Sequence, residues 1–90
     1  MADPGAGASL RIDVLLWRLR FAKSRSIGKA MAEKGHIRVN GQRIVKAHHA
    51  VRCGDVVTLM LGGVARSIRL DALPVRRGPA AEAMACYALL

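Results

Sequence analysis

The residues best suited to chemistry in this sequence are basic, and most of them lie between positions 11 and 52. That stretch holds eleven Lys and Arg residues but only two acids, Asp13 and Glu33. The basic residues are Arg11, Arg18, Arg20, Lys23, Arg25, Lys29, Lys34, Arg38, Arg43, Lys46 and Arg52. A single Lys or Arg is more often a solvated surface residue than a contact. As a set, these residues favour binding to a polyanion.

Three of the cations, Lys23, Arg25 and Lys29, surround the predicted start of a helix, where Ser24 is a suitable N-cap. The first backbone N–H groups of a helix have no partner within the helix, and the helix dipole adds positive potential there. The sequence therefore predicts a phosphate-binding site at this helix start.

Metal binding and catalysis have weaker support. Imidazole and thiolate groups can bind zinc, but the candidate ligands match no standard finger or ribbon spacing. The candidate ligands are His36, His48, His49 and Cys53. An enzyme needs a nucleophile, an oriented base and a pocket, and the candidates for these roles form no recognisable set. Those candidates are Ser24, Cys53, Asp13 and Glu33. We predict a protein that is not an enzyme and uses no metal or cofactor.

Length and composition limit the remaining classes. Ninety residues suit one domain, and 15 Lys and Arg against 6 acids give a net charge of +9. One Trp, one Tyr and one Phe leave little material for stacking bases, so contacts to phosphate and to nucleic-acid shape are favoured. No secretion signal or membrane span is recognisable, and Cys53 and Cys86 suit reduced thiols. We expect a cytoplasmic protein.

Periodicity predicts an α+β chain with a disordered leader at residues 1–9. A first helix follows Leu10, and a second spans about 24–34 with Gly35 after its end. From His36 the period becomes two, with a hairpin turn at Asn40-Gly41. Later strands at 56–59 and 64–70 complete a small antiparallel sheet, and a third helix is predicted over 80–90. The main domain is placed at 10–77 and the C-terminal helix at 78–90.

Four short motifs occur in order along the chain. They are Arg11-Ile12-Asp13, Lys23-Ser24-Arg25, Gly35-His36-Ile37-Arg38-Val39-Asn40-Gly41 and Gly54-Asp55-Val56. Together they resemble the S-four RNA-binding domain, named after small-subunit ribosomal protein four, over about residues 10–60. Residues 76–83 and Tyr87 resemble the continuation found in the bacterial heat-shock protein 15 family and its ribosome quality-control relatives.

This resemblance implies two helices packed on a small twisted antiparallel sheet, the alpha-L type, with RNA lying across the second helix and first hairpin. The resemblance also implies a set of RNA-binding positions, to which we add Lys29 and Arg43 from the basic clusters. The set is Arg11, Lys23, Ser24, Arg25, Lys29, Gly35, His36, Arg38, Asn40, Gly41, Arg43 and Lys46. Ribosomal RNA or transfer RNA is the implied ligand, and free large ribosomal subunits carrying stalled peptidyl-tRNA are the implied target.

We expect a monomer that does not bind membranes. Two other classes stay open: a helix pair could enter a DNA major groove, or an apolar C-terminal face could bind a protein as an adaptor.

The predicted core includes Leu15, Leu16, Leu19, Ile27 and Met31. Gly28 lies inside the second helix, where the family usually has a larger residue. Since Gly costs about 1 kcal/mol relative to Ala there, a softer helix is expected.

Overall fold

A computed structural model of the chain describes residues 8–90. Residues 1–7 of the predicted leader lie outside the described part. The helices are α1 (Ile12–Arg18), α2 (Arg25–Glu33) and α3 (Ala80–Met84). The strands are β1 (Leu10–Arg11), β2 (Ile37–Val39), β3 (Gln42–Ile44), β4 (Ala50–Val51), β5 (Val56–Leu61), β6 (Val64–Leu70) and β7 (Tyr87–Leu89).

Within the described residues the strands form two antiparallel sheets, one of five strands in the order β3-β2-β5-β6-β7 and one of two strands, β1-β4. Buried pairs such as Ile37 opposite Ile44 and Val57 opposite Ile68 give the larger sheet its inner face. The α+β class and the two N-terminal helices on an antiparallel sheet are confirmed. Within residues 8–90, no helix has the length and apolar character needed to cross a membrane.

The core forms between α1 and the sheet, and it confirms Leu15, Leu16 and Leu19 as buried residues. Met31 is partly buried against this core. Ile27 is wrong as a core residue, because its side chain is 46% exposed. The inner face of α2 is formed by Gly28 and the fully buried Ala32 instead.

Gly28 allows α1 and α2 to approach closely. A Cβ at this position would lie 2.7 Å from the backbone carbonyl oxygen of Asp13, closer than van der Waals contact permits. The glycine is therefore better explained by helix packing than by a softer helix.

The predicted caps and turn of the central region are present. The Ser24 hydroxyl accepts a hydrogen bond from the Ile27 backbone N–H at 3.1 Å, so Ser24 is the N-cap of α2. Gly35 follows the helix with a φ of +74°. Asn40 and Gly41 have φ values of +52° and +83°, as a type I′ hairpin requires.

The C-terminal segment differs from the prediction of one helix over 80–90. The helix ends at Met84, and Tyr87–Leu89 forms β7, with Tyr87 opposite Leu70 and Leu89 opposite Ile68. Helix propensity is overridden here because β6 would otherwise present unpaired backbone groups at the sheet edge. The Tyr87 ring also packs on Phe21, with 5.3 Å between ring centroids. The segment thus covers its own sheet, while Met84 and Leu90 stay exposed.

Candidate nucleic-acid interface

A buried carboxylate lies at the centre of the basic surface. Asp13, in the first turn of α1, is 2% exposed. Its two oxygens accept hydrogen bonds from Arg11 Nε at 3.1 Å and Nη2 at 3.0 Å. The same carboxylate lies 3.6 Å from Arg25 Nε, and its Oδ1 accepts the Val14 backbone N–H at 2.8 Å. One acid therefore orients two guanidinium groups from neighbouring elements.

The resulting group of Arg11, Asp13, Arg25 and Lys29, which we term the Asp13 cluster, surrounds a hollow of about 270 Å³ together with Ser26. Three cations and one anion give the cluster a net charge of +2. The hollow lies at the N-terminal end of α2, where the helix dipole adds further positive potential. Guanidinium groups held in a fixed orientation suit bidentate binding of phosphate.

Asp13 itself was not predicted as a site residue. Its place in the first turn of α1 suits the helix dipole, and its ion pairs also order Arg11 and Arg25. The signal available in the sequence was an isolated acid two positions after Arg11 within a strongly basic stretch. A lone acid among so many cations favours an ion pair.

A second basic group lies at the other end of α2, on the hairpin of β2 and β3. The Arg43 guanidinium occupies the space that a side chain at Gly35 would need. Arg38 and Arg43 are directly opposite each other across the two strands. Because like charges in this arrangement destabilise a hairpin, the pair is better suited to a surface that binds an anion.

Asn40 and Gly41 shape this hairpin. The Asn40 Nδ2 group donates to Asp55 Oδ1 at 3.1 Å, and its Oδ1 accepts the Val56 backbone N–H at 2.9 Å. Arg38 Nη1 makes a long contact of 3.4 Å with the Gly41 carbonyl oxygen. The Asn40 amide is thus engaged within the fold and joins the hairpin to the start of β5.

The other predicted site residues are more dispersed. Lys23 and His36 are exposed immediately before and after α2, and Ser24 uses its hydroxyl as a helix cap. Lys46 is exposed in the turn that ends at His49, whose N–H donates to the Lys46 carbonyl oxygen at 3.1 Å. The structure therefore gathers part of the predicted set into two basic groups at the ends of α2, and Lys23, His36 and Lys46 lie outside the residues that form them.

Two arginines from the basic stretch have a structural role. Arg18 Nη1 donates to the Pro74 carbonyl oxygen and Arg20 Nη1 to the Gly78 carbonyl oxygen, both at 3.0 Å. Arg77 Nε donates to the Trp17 carbonyl oxygen at 3.1 Å. These bonds fix the connection between β6 and α3 against α1.

Two further arginines are paired with acids away from α2. Arg69 lies 2.9 Å from Asp71, whose hydrogen bond raises the pKa of Arg69 above its usual range. Arg76 lies 2.9 Å from Glu82. Among residues 8–90, no three or more His, Cys, Asp and Glu side chains converge on a point suited to a metal ion.

Comparison with known proteins identifies this arrangement. The S4 domain model matches residues 10–57, which include α1, α2 and the hairpin. The chain belongs to the S4 domain family. The solved structure of Vibrio cholerae heat shock protein 15, a trimer, aligns with a TM-score of 0.85 at 34% identity, covering 92% of this chain and 83% of that one.

Curated relatives extend the match beyond the S4 domain. The heat shock protein 15 homolog of Haemophilus influenzae is 39% identical over 82 residues, covering 91% of this chain and 62% of the relative. The small ribosomal subunit protein uS4 of Kosmotoga olearia is 37% identical over 49 residues, covering 54% of this chain and 24% of the relative. This chain spans about three fifths of the length of its heat shock protein 15 relatives. The sequence-based resemblance to both families is confirmed.

Proposed function

We propose that this S4 domain binds structured RNA and catalyses no reaction. The observation that carries the proposal is the Asp13 cluster, in which a buried carboxylate holds Arg11 and Arg25 beside Lys29 at the start of α2. Ordering arginines before the ligand arrives reduces the entropy lost on binding. Membership of a family that includes ribosomal protein uS4 supports RNA as the polyanion.

The proposed target is ribosomal RNA or transfer RNA on free large ribosomal subunits that carry stalled peptidyl-tRNA, in the cytoplasm and without a cofactor. The heat shock protein 15 relatives support this assignment. The two basic groups lie at opposite ends of the nine-residue α2, about 14 Å apart at 1.5 Å per residue. A folded RNA presents separate backbone segments at such spacings, so specificity can come from shape.

A matched pair of variants tests RNA binding. Because a glutamate at position 25 would face the Asp13 carboxylate, Arg25→Gln is the cleaner substitution, and Arg76→Gln removes the same charge at a site paired with Glu82. We expect Arg25→Gln to weaken binding to structured RNA by about tenfold or more, since one charge-assisted contact is lost. Arg76→Gln should have little effect. Equal losses in both variants would contradict the proposed surface.

The target is tested by sedimentation of a lysate from heat-stressed cells. Enrichment with free large subunits, reduced in Arg25→Gln, supports the assignment, whereas association with small subunits or duplex DNA contradicts it.

Affinity should also fall steeply with salt, because phosphate contacts release counterions. The monomer stays a prediction, and sedimentation equilibrium of the purified chain measures it directly.

A further inference from the structure

A groove separates the β2–β3 hairpin from the loop that precedes β5. Two adjoining concavities of about 500 and 510 Å³ share Gln42, His49 and Ala50 in their walls. Each has a volume within the range of small-molecule sites. The groove lies outside the Asp13 cluster. The predicted site residues Asn40, Arg43 and Lys46 line part of it, whereas Gln42, His49 and Arg52 do not belong to the predicted set.

The walls of the groove carry groups that recognise bases. Gln42 and Arg52 are exposed and His49 is half-buried. Glutamine binds adenine through N6 and N7, and arginine binds guanine through O6 and N7, so both read the N7 edge of a purine. Imidazole and guanidinium planes also stack on unpaired bases.

Hydrogen bonds hold the groove in shape. Asp55 accepts the Arg52 backbone N–H at 2.9 Å and the Asn40 side chain at 3.1 Å, so both of its oxygens are engaged. Gln42 pairs with the buried Val39 across the hairpin, next to the turn. Asp55 therefore fixes the walls of the groove, and the side chains of Arg52 and Gln42 stay exposed to solvent.

The groove adjoins the proposed phosphate site. The Ile12 backbone N–H donates to the His49 carbonyl oxygen at 2.9 Å, and Ala50 is paired with Arg11 between β4 and β1. Paired residues of antiparallel strands lie about 5 Å apart at their Cα atoms. An RNA phosphate held by Arg11 is thus next to the groove, and a base attached to that part of the strand can enter it.

We propose that this groove binds one unpaired purine of the RNA whose backbone is held by the Asp13 cluster. This inference rests on the proposed RNA binding and deepens it. It adds base recognition to the phosphate and shape contacts that the composition favours, because Gln42, His49 and Arg52 lie apart in the sequence but line one concavity in the fold.

The test uses four RNA hairpins with one stem sequence, containing a bulged adenosine, a bulged guanosine, a bulged uridine or no bulge. Fluorescence anisotropy at one fixed salt concentration measures their affinities for the full 90-residue chain. We expect the purine bulges to bind about fivefold to tenfold tighter than the uridine bulge and the paired stem, as for one recognised base.

Two variants locate the preference. Gln42→Leu removes the amide, and Ala50→Leu fills the groove from the opposite wall; each should lower the purine-to-uridine ratio to about one. Both positions are exposed, and circular dichroism checks the fold. Arg25→Gln should instead weaken binding to all four RNAs.

Each outcome is decisive. Wild-type affinities that are equal for the four RNAs overturn the groove proposal but leave RNA binding intact. A purine preference that survives in both leucine variants overturns it as well. Absence of binding to all four hairpins and to labelled ribosomal RNA contradicts the proposed function itself.

Discussion

The Asp13→Asn substitution separates the effect of total charge from the effect of arginine positioning. Asparagine keeps the shape of the buried side chain but removes its negative charge, so the net charge rises from +9 to +10 with one acid fewer. If total charge controls RNA affinity, this variant binds more tightly. If the ordering of Arg11 and Arg25 controls it, the variant binds more weakly.

The structure allows the two effects to be compared. Asp13 orients Arg11 through two hydrogen bonds and Arg25 through one ion pair, although both arginine side chains are about half exposed. Ordering each released arginine during binding costs about 1 kcal/mol, so two cost about 2 kcal/mol. Removing one acid beside the phosphate returns at most about 1 kcal/mol. The net loss of about 1 kcal/mol corresponds to about fivefold weaker binding.

The assay is fluorescence anisotropy with one labelled structured RNA at a fixed salt concentration. Asp71→Asn is the matched control, because it makes the same change in charge at a half-exposed carboxylate paired with Arg69. The control should bind as tightly as the parent chain or slightly more tightly. Tighter binding by Asp13→Asn, or equal changes in the two variants, would refute the positioning argument.

Two other substitutions test the fold, and one labelling reaction tests the burial of a thiol. Gly28→Ala should lower the free energy of unfolding by about 1–3 kcal/mol, because its Cβ meets the Asp13 carbonyl oxygen. Urea denaturation measures this, and a more stable variant contradicts close helix packing. Gly41→Val should cost about 1–2 kcal/mol, since its φ is +83°; lost RNA affinity at full stability would indicate backbone contact instead. Cys86 should react with iodoacetamide more slowly than Cys53 at neutral pH, because burial raises the pKa of the Cys86 thiol and lowers its thiolate fraction. Equal labelling rates by mass spectrometry contradict this.

The local features of the fold were predictable from sequence because they depend on neighbouring residues. The Ser24 cap and the Asn40-Gly41 turn each need particular residue types within a few positions. Ile27 was misplaced because its burial depends on where α1 lies, and Gly28 sets that distance. Helix propensity predicts a helical state for Tyr87, but it contains no information about the unpaired edge of β6, with which Tyr87 pairs.

The candidate site also divides into features that neighbouring residues determine and features that tertiary packing determines. Residue type and clustering singled out Arg25 and Lys29 as candidate site residues, and the family resemblance implied Arg11. The Asp13–Arg25 ion pair and the hydrogen bond from Arg18 depend on how separate elements pack, since Arg18 donates to a carbonyl oxygen 56 positions away. Charge patterns therefore locate a basic surface but do not show which cations are already engaged.

The late position of β7 affects how the chain folds while it is being synthesised. The strand order β3-β2-β5-β6-β7 lets the larger sheet grow by adding strands close to the order in which they are made. Leu89 follows Leu70 by 19 residues, so at about 5–20 residues per second the outer edge of β6 waits about 1–4 s for its partner. An edge strand open for that time can pair with a neighbouring chain. By covering the free edge of β6, β7 therefore protects the sheet of a nascent chain from aggregation.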